Sequence, residues 1–291
     1  MRLRDIVDFV LLSILWGASF LFMRIAVPEF GPVSLMLLRC GIGALTLLPI
    51  LAISGTISDL RQTITRSGFV GVINSAIPFV LLAFSALSLT AGALSTLNAT
   101  APFWGAVVAY FWLRERLTGW QLVGMLVGIS GVAALVNGSS LATVSDQKSL
   151  ALAVFSALMA TLSYGVAANF ARKYLSNENA LANATGSQIG AAVILLIPGV
   201  AMWPESNPGI SAWLCILALG VFSTGIAYIL YFRLIKNIGP SRAITVTFAI
   251  PVFSMFSGWL FLDETVDLTM ILSAVVIILG CALTIQIIKP K

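Results

Sequence analysis

Long apolar runs alternate with short polar segments along the whole chain. Each run approaches the roughly 20 residues that cross a bilayer as one helix, and glycine, proline and charged residues separate it from the next. The pattern predicts an all-α integral membrane protein with ten transmembrane helices. These helices are expected at residues 6–26, 32–54, 67–88, 91–112, 117–137, 149–171, 180–203, 211–232, 241–262 and 267–288.

The composition indicates that lipid is the main solvent of this chain. Of its 291 residues, 59% are apolar and 9% are charged, and the mean hydropathy is +1.03. Since a globular domain carries about 25% charged residues, so few charges cannot cover a surface in water. The lipid bilayer is therefore an expected partner. The net charge of +5 concerns orientation in the membrane, and no nucleic-acid partner is expected.

Lysine and arginine are unevenly distributed between the predicted loops. With the N-terminus inside the cell, thirteen of the sixteen basic residues fall in cytoplasmic segments. Because cytoplasmic loops carry the excess of Lys and Arg, both termini are predicted to be cytoplasmic. Short loops and a first helix without a cleavage site fit a multi-pass protein of a bacterial inner (plasma) membrane.

The chain aligns with itself at an offset of 149 residues, which predicts two repeats, 1–140 (helices 1–5) and 141–291 (helices 6–10). Because five is an odd number, the second repeat is expected to enter the membrane from the opposite side. Inverted repeats are typical of alternating-access transporters; the alternative is an inert duplicated bundle. The matched pairs include Gly41 and Gly190, Pro49 and Pro198, Gly71 and Gly220, Pro102 and Pro251, Glu115 and Glu264, and Gly131 and Gly280.

Several of these positions carry a family resemblance. The residues concerned are Trp16-Gly17, Arg39, Pro102, residues 113–118, Gln121, Gly124 and Gly131, with Pro251, residues 262–264 and Gly280 in the second copy. They resemble the EamA-type repeat of the drug/metabolite transporter superfamily. The resemblance implies ten helices, a central substrate cavity and export of amino acids or other small metabolites. It extends to the aromatic amino-acid exporter branch, for which the chain contains no diagnostic motif. The second copy departs from the pattern with Tyr164 in place of the Trp and Gln188 in place of Arg39.

Polar and aromatic side chains near the middle of the predicted helices are the expected substrate contacts. Polar groups are costly to bury in a membrane unless a partner or an aqueous cavity satisfies them. Alternatively, the hydroxyl groups bond their own helix backbone and the aromatic rings pack or lie at the interface. The predicted cavity residues are Trp16, Asn74, Phe79, Asn98, Tyr164, Ser223, Tyr228 and Thr245.

Two prolines and a set of glycines are expected to shape the helices. Pro102 and Pro251 interrupt helices 4 and 9 and are predicted to be hinges, with a static kink as the alternative. Gly124, Gly128 and Gly131 in helix 5 allow close helix contact. They predict either packing inside the chain or a homodimer through helix 5 or helix 10, with a monomer as the alternative.

Few charges are predicted away from the helix ends. Arg39, in helix 2, is expected to be mainly a structural anchor that snorkels outward, with a substrate carboxylate as the alternative partner. Glu115 and Glu264 are expected at helix ends, paired with neighbouring arginines. The cavity is therefore expected to hold no fixed charge and no proton relay, which favours a facilitated or weakly coupled exchanger.

The residue types present argue against metal, cofactor and catalytic sites. The chain has no histidine, and Cys40, Cys215 and Cys281 are isolated in apolar runs, so no metal or cofactor site is predicted. No constellation for an intramembrane enzyme can be assembled. The sequence predicts an alternating-access exporter of amino acids or similar small neutral or zwitterionic metabolites. The alternatives are export of drugs or other metabolites such as nucleobases, or a channel-like facilitator.

Overall fold

The computed structural model describes residues 2–138, 141–143 and 146–287, with the backbone alone at positions 240 and 241. The described chain is all-helical. Two of its segments, Val72–Ala76 and Ala218–Ile226, are π-helical. The helices are α1 (Leu3–Phe30), α2 (Pro32–Ile53), α3 (Ile57–Gly71), α4 (Ile77–Ser85), α5 (Ala91–Asn98), α6 (Ala101–Trp112), α7 (Gly119–Val136), α8 (Gln147–Tyr174), α9 (Ala180–Ala201), α10 (Ile210–Leu217), α11 (Ala227–Ile238), α12 (Pro240–Ala243), α13 (Val246–Leu262) and α14 (Leu268–Thr284).

The described helices fit a membrane protein. Seven continuous helical stretches are long and apolar enough to cross a bilayer, and the 17-residue helices α13 and α14 are apolar but shorter. The seven are α1, α2, α3 through α4, α7, α8, α9 and α10 through α11. Ten crossings stay a prediction, since that number also requires α13, α14 and the interrupted pair α5 and α6 to cross.

The third predicted helix was placed too late in the chain. It begins at Ile57 rather than at residue 67, because its first turns are amphipathic and were taken for a loop. Leu60, Thr63 and Ser67 are buried at helical spacing while Arg61 and Arg66 are exposed. A polar face that points to water is compatible with a helix whose other face packs on the protein.

The prediction of one continuous helix over 91–112 was wrong. A turn at residues 99–100 separates α5 from α6, and Pro102 lies in the first turn of α6. Proline fits there, because the first N–H groups of a helix have no intrahelical partner. In the predicted helix 9 the turn falls at residues 244–245, and α13 continues through Pro251.

Helices from the two halves of the chain pack against each other, and the most extensive contact is between α7 and α14. A Cβ atom at Gly280 would lie 2.5 Å from the carbonyl oxygen of Gly124 and 2.8 Å from the Cα of Gly128, while one at Gly131 would lie 2.8 Å from a side-chain carbon of Ile277. The glycine face of α7 is therefore covered by α14 inside the chain. A homodimer through either helix stays a prediction.

Candidate binding cavity

A cavity of about 600 Å³ lies between the two halves of the bundle. This volume is in the range of small-molecule binding pockets. Residues of both halves line it, with aromatic rings and three asparagines among them. Seven of the eight predicted cavity residues are in its wall: Trp16, Asn74, Phe79, Asn98, Tyr164, Ser223 and Tyr228.

Thr245 and Pro251 are the two predicted residues that the structure does not bring to the cavity. Thr245 lies in the turn between α12 and α13, and its hydroxyl donates to the carbonyl oxygen of Arg242 at 2.7 Å. Thr247 lines the wall in its place. Pro102 is also in the wall, whereas Pro251 is buried inside α13. A hinge role for either proline stays a prediction.

The polar groups of the wall differ in whether the protein already satisfies them. The Ser223 hydroxyl donates to the backbone carbonyl of Leu15 at 2.8 Å, so this side chain serves a contact between helices. The Asn98 Oδ1 atom is buried and accepts no hydrogen bond from a described residue. Since buried acceptors are normally paired, the Asn98 oxygen is a hydrogen-bonding position that the described residues leave unfilled.

Arg39 places a positive charge in the cavity wall, contrary to the expectation of an uncharged cavity. Arg39 is only 5% exposed. The guanidinium carbon lies 3.9 Å from the ring centroid of Phe79, and Nε donates to the Thr224 hydroxyl at 3.2 Å. Outward snorkelling was therefore a wrong expectation: the aromatic face and the hydroxyl hold the charge inside the bundle.

A buried ion pair lies beyond one end of the cavity, outside its wall. Arg24 Nε lies 3.1 Å from Glu264 Oε1. A second N–H group of Arg24 donates to the Ala86 carbonyl at 2.6 Å, and the Ala91 amide donates to Glu264 Oε2 at 2.8 Å. These contacts, which we call the Arg24–Glu264 cluster, join α1, the start of α5 and the loop after α13 at what we call the closed end. Burial raises the pKa of the Glu264 carboxyl, although the bonds from Ala91 and Arg24 act in the opposite direction.

The cavity extends towards the other end of the bundle, at the loop 113–118, which we call the open end. Its wall there includes the exposed residues Glu115, Arg116 and Arg172. Glu115 and Arg172 form an ion pair with each other. Both Glu115 and Glu264 pair with an arginine, as expected, but Glu264 is buried and its partner Arg24 is distant in the chain rather than a neighbour.

Sequence reasoning did not identify the two arginines that matter most to this arrangement. Arg24 is not among the predicted site residues, and Arg39 was expected mainly to snorkel outward, with a substrate carboxylate only as the alternative. A usable signal was present: Arg24 and Arg172 are matched at an offset of 148, and Glu115 and Glu264 at 149. One matched pair is basic and the other is acidic. Together they indicate two equivalent ion pairs, one at each end of the bundle.

The described residues contain no cluster of three or more His, Cys, Asp or Glu side chains that could hold a metal ion. The three cysteines are buried and unpaired by disulfides. The described arrangement is that of a helical membrane protein with a cavity between its two halves, of a size that fits a small molecule.

Comparison with known proteins agrees with this class. A model of the EamA-like transporter family matches residues 6–137 and again residues 151–286. The chain belongs to the EamA-like transporter family, and it is a membrane transporter rather than an enzyme.

Individual relatives cover nearly the whole chain at low identity. The uncharacterized transporter YoaV of Bacillus subtilis (strain 168) is 25% identical over 92% of this chain and 92% of its own. An uncharacterized transporter of Archaeoglobus fulgidus is 24% identical over 93% and 95%. The uncharacterized inner membrane transporter YedA of Escherichia coli (strain K12) is 22% identical over 85% and 79%.

The fold also has a counterpart among solved structures. One crystal structure superposes with a TM-score of 0.67 over 99% of this chain and 98% of that one, at 17% sequence identity. At this identity the likeness concerns the fold alone.

Proposed function

We propose that this protein is an alternating-access transporter that exports amino acids or similar small zwitterionic metabolites. The observation that carries the proposal is a cavity of about 600 Å³ that reaches exposed residues at the open end and does not extend to the buried Arg24–Glu264 cluster at the other. A transporter that exposes its site to one side at a time needs such a conformation, with its counterpart as the second state.

The wall of the cavity supports the substrate class. Trp16 and Tyr231 provide aromatic surface, with ring centroids 5.3 Å apart, which suits an apolar side chain. The free Oδ1 of Asn98 is an acceptor for an ammonium group. Arg39 is a donor for a carboxylate. These groups together could bind the ammonium, the carboxylate and the apolar side chain of one zwitterionic molecule.

The direction of transport follows from orientation. We propose that the open end faces the cytoplasm, since Arg114, Arg116, Arg172 and Lys173 lie beside it. In this topology the chain crosses a bacterial inner membrane ten times as two inverted five-helix repeats, with both termini in the cytoplasm. The family model that matches the two halves separately supports the repeat, and the name of YedA as an inner membrane transporter supports the location.

The charges of the cavity favour exchange or facilitated transport over proton coupling. Proton-coupled transporters use carboxylates or histidines inside the membrane. Among the described residues of the wall the one carboxylate is that of Glu115, which is exposed at the open end.

Counterflow in proteoliposomes tests the proposal. Vesicles loaded with an unlabelled amino acid should accumulate the same labelled amino acid in a saturable manner, and unlabelled substrate inside should accelerate uptake. The variant Trp16→Ala should reduce this flux at least tenfold, while Trp259→Ala, whose side chain is exposed on α13, should transport normally.

Three results would contradict the proposal. Flux that does not saturate and does not respond to internal substrate would indicate a channel. Flux of nucleobases or drugs without flux of any amino acid would contradict the substrate class. Equal transport by Trp16→Ala and Trp259→Ala would place the pathway outside the described cavity.

A further inference from the structure

We infer that Arg39 is the carboxylate-binding group of the cavity, and that one carboxylate is the group every substrate of this protein must carry. The inference rests on the proposed transport function and makes it more specific. It reverses the sequence-based preference for a structural anchor.

The first argument is that Arg39 is buried without a counter-ion. Within residues 2–138, 141–143 and 146–287, the ion pairs are Arg24 with Glu264, Arg172 with Glu115, and Arg233 with Asp8. A buried charge that lacks an opposite charge is costly. The Phe79 ring and the Thr224 hydroxyl offset part of this cost.

The second argument is that the charge is not needed for the packing of the helices. Gln188 stands 149 positions after Arg39, and Thr224 stands 149 positions after Ser75. The Gln188 amide donates to the Ser75 hydroxyl at 3.0 Å, as Arg39 donates to the Thr224 hydroxyl. A neutral side chain therefore makes the same contact in the other half of the chain, and the positive charge of Arg39 is additional to it.

The third argument is geometric. An arginine side chain has five N–H donors in a planar fork, and the bond to Thr224 uses the one at Nε. The two terminal NH₂ groups make no hydrogen bond to a described residue, and the side chain lines the cavity. Two parallel N–H groups match the two oxygens of a carboxylate. Tyr164 and Tyr228 line the same cavity as Arg39, so the bound carboxylate would have polar neighbours.

One guanidinium neutralises one negative charge. The site therefore suits monocarboxylates, including zwitterionic amino acids, and disfavours phosphate esters with two charges. Substrate binding would also remove the cost of the unpaired charge, so occupancy is expected to stabilise the bundle.

Matched compounds test the inference on the wild-type protein. For leucine, phenylalanine and tryptophan, flux into proteoliposomes would be measured for the amino acid, its carboxamide and the corresponding amine. We expect the amino acid to be transported at least tenfold faster than the carboxamide and the amine of the same body. Equal flux of amino acid and carboxamide would overturn the inference and leave the transport function standing. No flux of any compound would overturn the proposed function itself.

The variant Arg39→Gln connects the discrimination to this residue. Because Gln188 makes the equivalent contact, Arg39→Gln is expected to fold with a thermal midpoint near that of the wild type. It should lose the preference for the amino acid over the carboxamide. Ser34→Ala, which removes a buried polar contact from the same helix outside the cavity, should keep the preference. Retained discrimination in a folded Arg39→Gln protein would overturn the inference, and the wild-type comparison decides it if this variant does not fold.

Discussion

Arg24 and Glu264 are separated by 240 positions in the chain and lie 3.1 Å apart at the closed end of the cavity. Arg172 and Glu115, matched to them by the sequence offsets, pair at the open end. The side chains of the first pair are 16% and 6% exposed, and those of the second are 56% and 50% exposed. The same two residue types thus form a buried ion pair at the closed end and a solvent-exposed ion pair at the open end. Such asymmetry is what the proposed function requires of a single conformation.

Removal of the Glu264 carboxylate is expected to destabilise the closed end. In Glu264→Ala the buried Ala91 amide and the Arg24 guanidinium lose their partner, at a cost of about 1–3 kcal/mol in the free energy of unfolding. Glu264→Gln should be milder, since its amide oxygen still accepts from Ala91. The measurement is thermal or denaturant unfolding in detergent. The matched control is Glu115→Ala at the exposed pair, where a change of less than about 1 kcal/mol is expected. Equal losses at the two ends would contradict the assignment of the closed end.

A methyl group at Gly258 is also expected to destabilise the closed end, by displacing the Glu264 carboxylate. A Cβ atom at this position would lie 2.3 Å from Glu264 Oε2, so Gly258→Ala must displace the carboxylate from Ala91 and Arg24. Its loss of stability should resemble that of Glu264→Ala. The double variant Gly258→Ala, Glu264→Ala should then be as stable as the less stable of the two single variants, because both substitutions remove the same contacts. Additive losses would show that Gly258 acts independently of the carboxylate.

Acidity is expected to favour the closed end. Burial raises the pKa of the Glu264 carboxyl above its ordinary value of 4.5, so the folded closed state binds a proton more readily than a state in which Glu264 faces water. As pH rises through the range just above 4.5, this group contributes progressively less to stability. The difference in unfolding free energy between the wild type and Glu264→Gln should therefore shift against the wild type as pH rises. A shift in the other direction would mean that the ion pair outweighs burial.

The fold followed from the sequence where the length of an apolar run decided it. Helices α1, α2 and α9 lie where the runs predict them. The break after α5 did not follow, because residues 91–112 are apolar on both sides of it. The hydroxyls of Thr96 and Thr100 there each donate to a backbone carbonyl three or four residues earlier, and the Thr100 hydroxyl also lies 3.3 Å from that of Thr161. Such local bonds compete with regular helix without changing the hydropathy pattern.

The cavity followed from the sequence only as far as single helices define it. Mid-helix polar and aromatic positions identified most of the wall, while Thr245 was misplaced because the turn after α12 changes which threonine faces inward. The position of Arg39 depended on Phe79 and on Thr224, which is 185 positions away. Contacts over this distance arise from the packing of the two halves, and no local pattern contains them. The roles of the wall residues in binding stay predictions.

Asn98 is expected to be retained for function at a cost in stability. Its buried Oδ1 atom has no partner among the described residues, so Asn98→Leu, which is similar in volume and apolar, should raise the free energy of unfolding by about 1 kcal/mol. If the free acceptor serves the substrate ammonium, the same variant should reduce amino-acid flux at least tenfold.

Asn183 on α9 is a matched control, because its Oδ1 is also buried without a partner and it does not line the cavity. Asn183→Leu should be stabilised similarly and transport normally. Unfolding in detergent and counterflow in proteoliposomes measure the two effects. Normal flux in Asn98→Leu would show that its amide is not a substrate contact, whatever the change in stability.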